Sequence, residues 1–384
     1  MTFDTDLTTL ARQRRSALFD RLGGTVGAVV TTDPVNKGYL TGYHSMSNDT
    51  IVDYRTAAVA TRERAVLVVS AADAGPALER VGDPALIYRY GTFYFESAPD
   101  QSDIGYDLPG YPSFEAALEA AIRAIASAGE TVGTDFAYGG EVPDGFHGKD
   151  VRKEILACRL IKLPGEIERI RHATKLVEDG IAAMADVLRP GVTENELAGV
   201  VAHRMAAGGG TARFISVTSG PRSALADAYP TGRRIREGEL VRFDGGCVVD
   251  GFASDMARTL SAGDPGRLAT SRYAALAHGL EAELSVLRAG VAAGSLHKAA
   301  VDAVRHTIAS YRRHHVGHGL GVNGYEAPIL SEGSRAQIEA GMCLCVETPY
   351  YQLGWGGMMV EDTVVVTERG YEAITTLPHD LLIV

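Results

Sequence analysis

Five side chains in the C-terminal half of the chain, Asp244, Asp255, His318, Glu347 and Glu361, have the types and settings needed to hold divalent metal ions. Four carboxylates and one imidazole make an oxygen-rich donor set with a single nitrogen, suited to two hard or borderline divalent cations such as manganese, iron, cobalt or zinc. Two such ions would support hydrolysis, because a water held between them loses its proton near neutral pH while one ion polarises the attacked carbon centre.

The geometry of the first pair follows from local pattern. The run Arg242-Phe-Asp-Gly-Gly-Cys-Val-Val-Asp-Gly-Phe-Ala-Ser-Asp255 reads as two strands joined at Asp250-Gly251. A two-residue hairpin there sets Val249 against Phe252 and Asp255 against Gly246, so that Asp244 lies diagonal to Asp255 on one sheet face, with Gly246 leaving the space empty. Taken alone, the two acids are equally consistent with a solvated hairpin. His318 lies between glycines in Val316-Gly-His-Gly-Leu-Gly321, which lets the backbone approach closely; a lone histidine there is more often structural. Glu347 ends the apolar run that begins at Met342, and Glu361 interrupts Met358-Met-Val-Glu-Asp-Thr-Val-Val-Val366. Carboxylates inside strands this apolar are costly to bury without a partner, and metal ligation supplies one. Asp362 is expected on the opposite face.

In order, spacing and flanking residues, the series Asp244, Ser254-Asp255 with Arg258-Thr259, Gly317-His318-Gly319, Glu347-Thr348-Pro349 and Glu361-Asp362-Thr363 resembles the creatinase, prolidase and aminopeptidase P superfamily of pita-bread metallohydrolases. Farther upstream, Asp33-Pro34 to Gly42 resembles the family's opening strand and turn, and Leu160 to Ile167 its junction into the catalytic domain. The resemblance implies an α+β chain: a small mixed α/β N-terminal domain over 1–157, used for dimerisation and as a roof on a partner's active site, then a pseudo-two-fold pita-bread catalytic domain over 158–384. It also implies that Glu347 is both a metal ligand and the proton shuttle.

Departures from the family pattern bear on the substrate. Where peptidase members carry a histidine ahead of the first metal strand, this chain has Asp227, and where they carry one after the metal histidine it has Tyr325. The third outer histidine is matched by His314, with His315 beside it. Asp227 favours a cationic substrate group or acts as a general acid, and Tyr325 donates a hydrogen bond to a developing oxyanion. Arg222 either pairs with Asp227 or holds a substrate carboxylate, and Arg55, in the roof position, is set for a substrate carboxylate or for an ion pair with Asp53. The expected function is therefore hydrolysis of an amide- or amidine-type carbon–nitrogen bond in a small polar molecule. Ordinary Xaa-Pro dipeptide cleavage, a metal-dependent lyase and, last, a non-catalytic binding protein are the alternatives.

The elements that must position these residues are visible in the pattern. Up to about residue 157, an opening helix, strands at Thr25–Thr31 and Ala65–Ser70 and a helix from Phe114 indicate a mixed sheet with covering helices. From Pro164 a helical stripe of Ile167, Ile170, Thr174, Val177 and Ile181 begins. Leu188-Arg-Pro-Gly-Val-Thr-Glu-Asn-Glu-Leu197 recurs, weakened, as Leu287-Arg-Ala-Gly-Val-Ala-Ala-Gly-Ser-Leu296, which predicts two similar halves around a central site. With 384 residues, 46% of them hydrophobic, the chain can bury a large core, and a formal charge of −11 argues against nucleic acid or an anionic membrane as partner. The N-terminus lacks the features of a signal peptide, and Cys158, Cys247, Cys343 and Cys345 have no disulfide-type spacing, so a cytoplasmic protein is the expectation; that it is a homodimer is what the resemblance implies. The aromatic group Tyr88, Tyr90, Phe93, Tyr94 and Phe95 is expected in core packing.

Overall fold

The computed structural model describes residues 3–96, 110–136 and 142–384. It divides into two compact units, Met1–Arg159 and Leu160–Val384.

In the first unit, a six-stranded sheet runs in the order Ile87–Tyr90, Ala65–Ser70, Ala57–Ala60, Ala28–Thr31, Thr131–Thr134, His147–Asp150, with the second to fourth of these strands rich in valine and alanine. The sheet is mixed: Ala57–Ala60 pairs antiparallel with both of its neighbours, and the remaining pairings are parallel. Helix Phe114–Ile125 covers one face, with Phe114, Ala117, Ala121 and Ile122 packed on Val30, Val59, Val66 and Val132. Two local expectations change. Asp33–Gly42 is not strand and turn but helix Pro34–Thr41, because the Asp33 side chain accepts the Asn36 N–H, Pro34 suits the first turn, and Gly42 at φ 74° closes the end. Tyr88 and Tyr90 pack on the core, whereas Phe93, Tyr94 and Phe95 are exposed.

The second unit carries the duplication. One half has helices Pro164–Val187 and Glu194–Ala207 and a sheet built on Thr211–Ser219, Glu239–Val249 and Met256–Ala262. Its counterpart has helices Gly266–Val286 and Ala293–Arg305 and a sheet in the order Glu326–Ser331, His315–Gly319, Cys343–Glu347, Glu361–Val366, Tyr371–Ala373. The repeated glycine has the same use in both copies. Gly191 at φ 93° gives its N–H to Ile235, and Gly290 at φ 84° gives its N–H to Ile338. Two residues on, Thr193 bridges to Arg234 and Ala292 to Gln337. A left-handed backbone at the helix–helix turn is therefore the physical reason for the shared Gly. Thr193 and Glu196 form the predicted capping box; Ala292 has no side-chain oxygen to do so.

At Asp250 and Gly251 both φ angles are positive, 51° and 84°, as a two-residue hairpin of this type requires. Val249 pairs with Phe252, and farther along Met256 pairs with Gly245, so the register sets Asp255 beside Gly246. Gly246 is needed for a different reason from the one expected: a Cβ there would lie 1.9 Å from the Ser254 carbonyl oxygen. Gly246→Ala is expected to destabilise the chain by about 1–3 kcal/mol through this backbone clash. A urea midpoint equal to wild type would show that the hairpin can splay without cost.

Candidate metal centre

Residues flanking the predicted ligands lock the two halves together. Arg258, fully buried, donates to Asp362 Oδ1 at 2.7 Å and to the Glu361, Leu377 and Pro378 carbonyls, while Asp362 Oδ2 lies 2.6 Å from His379 Nε2. Thr259 Oγ1 both donates to the Met359 carbonyl and accepts the Met359 N–H. Thr363 Oγ1 donates to the Asp255 carbonyl at 2.7 Å. Asp362 thus turns away to hold the seam, and Asp255 and Glu361 are brought face to face across it.

Strand register assembles the rest. Cys345 is the cross-strand partner of His318 on one side and of Thr363 on the other, and Glu347 is the partner of Glu361. One ligand atom from each of Asp255, His318, Cys345 and Glu361 lies within 4.8 Å of every other. His318 Nδ1 sits 3.0 Å from the Gly319 carbonyl, so with its proton there Nε2 keeps a free lone pair, 3.8 Å from Asp255 Oδ2. Asp244 and Glu347 complete the wall of the same cavity, about 720 Å³ in volume, which Asp227, Arg213, Arg313, His314, His315, Tyr325 and Tyr351 also line.

This donor set fits divalent cations. Asp255 and Glu361 are buried, yet Asp255 Oδ1 and Glu361 Oε2 have no hydrogen-bond partner. Burial first, and then the other carboxylates, push both groups well above the usual carboxylate range. Burial also raises Asp244, although Arg242 opposes it, and brings Glu347 up to about 7 against the pull of Arg313. Without a cation such a cluster retains protons that the unfolded chain would release. The sign follows for Glu347: the metal-free protein keeps its contribution below pH 4.5, the ordinary glutamate value, and loses it as pH rises through about 7. Added metal displaces those protons, so the rise in Tm on adding manganese is expected to be larger at about pH 8 than at about pH 5.5. A rise independent of pH would show that the carboxylates are ionised before metal binds.

Not every expected residue reaches the cavity in the expected way. His315, not His314, contacts Glu347, with Nδ1 3.2 Å from Oε1. The strand is irregular between His315 and His318, where Gly317 adopts φ 149°, so the alternation that would pair His314 with His318 is broken. His315 accepts the Gly317 N–H on that same Nδ1, and burial holds it neutral with a pKa of about 3, so its contact with Glu347 is not an ion pair. His314 lies edge-on to His315 at the cavity surface. The Tyr325 ring tilts over His318 at 4.2 Å between centroids, and Asp227 is exposed on the cavity wall.

Arg222 neither pairs with Asp227 nor lines the cavity. Its Nε lies 3.3 Å from both oxygens of buried Glu194, which also accepts from Ser219 and Thr231. Arg55, in the first unit, pairs with Glu115 instead of Asp53 and stacks 4.1 Å from the Phe114 ring. Three residues not singled out from the sequence stand at the site. Arg242 Nη1 is 3.0 Å from Asp244 Oδ2, and the same guanidinium donates to the Ser223, Leu225 and Ala226 carbonyls, tying down the segment that carries Asp227. Arg313 Nη2 is 3.6 Å from Glu347 Oε1. Both guanidiniums flank the Tyr351 ring, 5.4 and 5.6 Å from its centroid. Arg242 carried a usable signal, two residues before Asp244 and on its face; Arg313 carried none.

The family model of metallopeptidase family M24 matches residues 168–368. The chain belongs to metallopeptidase family M24. It is accordingly a metal-dependent hydrolase. This M24 chain is 31% identical over 249 residues to the Xaa-Pro dipeptidase of Lactobacillus helveticus, covering 64% of the chain and 68% of that protein. It is 33% identical over 229 residues to the probable dipeptidase PepE of Mycobacterium tuberculosis, covering 59% of the chain but only 61% of that protein. Among solved structures, the Xaa-Pro dipeptidase from Bacillus anthracis superposes with a TM-score of 0.76 at 21% identity, over 97% of this chain and 99% of that one. Dipeptidase PepE from Mycobacterium ulcerans superposes at 0.74 with 24% identity and full coverage of both. The M24 chain therefore has the pita-bread fold of these prolidase-type proteins, preceded in sequence by a mixed α/β N-terminal unit. Its described residues include no helix long and apolar enough to cross a membrane, and Cys158, Cys247, Cys343 and Cys345 are free thiols.

Proposed function

We propose that the chain is a dipeptidase-type hydrolase of a carbon–nitrogen bond in a dipeptide or dipeptide-sized polar molecule, with Asp227 and Tyr325 setting a preference distinct from ordinary Xaa-Pro cleavage. The observation that carries the reading is the pair of orphaned, buried carboxylate oxygens on Asp255 and Glu361 at the floor of a 720 Å³ cavity, a volume suited to a small ligand. Asp244, Asp255, His318, Glu347 and Glu361 would hold two divalent cations, manganese being the first candidate and iron, cobalt or zinc also compatible with these donors. Such ions, when bound, supply a nucleophile at neutral pH and polarise the scissile carbonyl.

The chain's own residues do the rest. Glu347 Oε1 takes a proton from the nucleophile and returns it to the leaving nitrogen, beside a neutral His315 ring 3.2 Å away that does not compete for it. Tyr325, ring to ring with His318, offers its hydroxyl to the developing oxyanion. Asp227 sets a negative charge on the wall where a substrate ammonium can lie, and Arg242 fixes the backbone that presents it. The names of the relatives support the peptidase part of this reading; the two replaced histidines support the altered preference.

The test is a dipeptide panel assayed with manganese for wild type and Asp227→His. Weak Xaa-Pro cleavage by wild type, with kcat/KM for Xaa-Pro raised about tenfold or more in the variant, is the expected result, the size of one gained hydrogen bond. Efficient Xaa-Pro cleavage by wild type would instead establish an ordinary Xaa-Pro dipeptidase that tolerates Asp227 and Tyr325.

A further inference from the structure

We propose that Cys345 is itself a metal ligand, completing with Asp255, His318 and Glu361 a four-donor pocket that takes one thiophilic divalent ion in one half of the centre. The proposal rests on the metal-hydrolase reading above and adds a sulfur to a ligand set otherwise made of oxygen and nitrogen.

Alternation along Cys343–Glu347 places Cys345 on the same face as Glu347. Register makes it the direct neighbour of His318 across one strand pair and of Thr363 across the other. Its thiol is fully buried, and the contacts of its sulfur outside the donor cluster are long, 3.8 Å to the Asp255 carbonyl and 3.9 Å to Thr363 Oγ1. Its sulfur lies within 4.8 Å of donor atoms of Asp255, His318 and Glu361, and Asp255 Oδ1 and Glu361 Oε2 have no hydrogen-bond partner although both residues are more than nine-tenths buried.

Distances and chemistry agree. Ligand bonds of about 2.0–2.3 Å to a tetrahedral ion place neighbouring donors about 3.3–3.8 Å apart. Asp255 Oδ2 and His318 Nε2 are already 3.8 Å apart, and the whole tetrad spans at most 4.8 Å, so a contraction of about 1 Å closes it. One thiolate, one imidazole and two carboxylates select zinc, cobalt or cadmium over manganese. The thiol proton leaves to solvent as the ion binds, with no change of oxidation state. Asp244 and Glu347 stand outside this tetrad and already face guanidinium groups, Arg242 at 3.0 Å and Arg313 at 3.6 Å. The two halves of the centre are thereby inequivalent: a sulfur-containing position and an oxygen-only one.

Cobalt(II) titration of the metal-free full-length chain tests this by absorption spectroscopy, with metal content measured in parallel. A near-ultraviolet sulfur-to-cobalt charge-transfer band that saturates at one equivalent is expected. It should be lost in Cys345→Ser and in Cys345→Ala and retained in Cys247→Ser. Cadmium affinity should fall about tenfold or more in Cys345→Ser, while manganese affinity changes by less than about twofold. Bound cobalt with its visible bands but no charge-transfer band in wild type would overturn the proposal and leave the hydrolase reading standing, since Cys345 would then only donate its S–H to a carboxylate. A band that persists in Cys345→Ser would also overturn it. No cobalt bound at all would overturn both.

Discussion

Glu347→Gln is expected to lower kcat by about 10²–10⁴-fold, the range for loss of a positioned acid–base group. The substitution keeps the volume and one carbonyl oxygen but cannot carry a proton. Three features of Glu347 lead to this magnitude. The residue is 5% exposed, so the proton it handles is sheltered from bulk water. Burial raises it to about 7 against the opposing Arg313, where it can both accept and release a proton under neutral conditions. The His315 ring, 3.2 Å away, is held neutral and its Nδ1 already accepts the Gly317 N–H, so it does not compete for the proton. Measuring kcat, KM and metal content on the same sample separates the causes. A large fall in kcat with metal retained supports the proton role, and wild-type turnover would remove Glu347 from the mechanism.

Asp255→Asn is expected to abolish the stabilisation conferred by metal. At a free metal concentration about 100 times Kd, wild type gains about 2.7 kcal/mol, a rise of about 5–10 °C in Tm for a unit of this size. Asp255 has the most to lose, because it is buried, its Oδ1 has no other partner, and it lies against His318 and Glu361 at once. Metal-free, the order should reverse. The variant need not take up a proton on folding, as the raised Asp255 carboxyl must without metal, so in chelator at neutral pH it should melt above wild type. Calorimetric melts with and without manganese read both signs. A variant that keeps the metal-dependent rise would show that the pocket does not need this carboxylate.

Much of the site was legible because its chemistry is local to short motifs. Asp250-Gly251 dictated a two-residue hairpin through left-handed backbone at both residues, and the hairpin in turn set Asp255 beside Gly246. Leu188–Leu197 and Leu287–Leu296 announced the duplication because each needs a glycine at positive φ to turn between helices. Where expectation and structure differ, an irregularity or a distant partner intervened. The family resemblance assigned His314 to the site, where it lines the cavity, but the irregular stretch between His315 and His318 brings His315 against Glu347. Arg222 and Arg55 were read with the acids nearest in sequence, Asp227 and Asp53, while the fold supplied Glu194 and Glu115.

By itself the sequence determined which groups can bind metal, that they lie on apolar strands and a tight hairpin, and that two similar halves carry them. These follow from residue type, two-residue alternation and turn chemistry, all of which act within a few residues. The tertiary structure decided what surrounds those groups. It set Cys345 across from His318, drew Arg242 and Arg313 around Tyr351 beside Asp244 and Glu347, and locked the seam through Arg258 and Thr259. Those contacts join residues up to 120 positions apart, as in Arg258 with Pro378, and depend on how two sheets meet. A charge or a thiol in the sequence carries no record of which buried partner will face it, because the cost of burying it is settled only when the whole unit has closed around it.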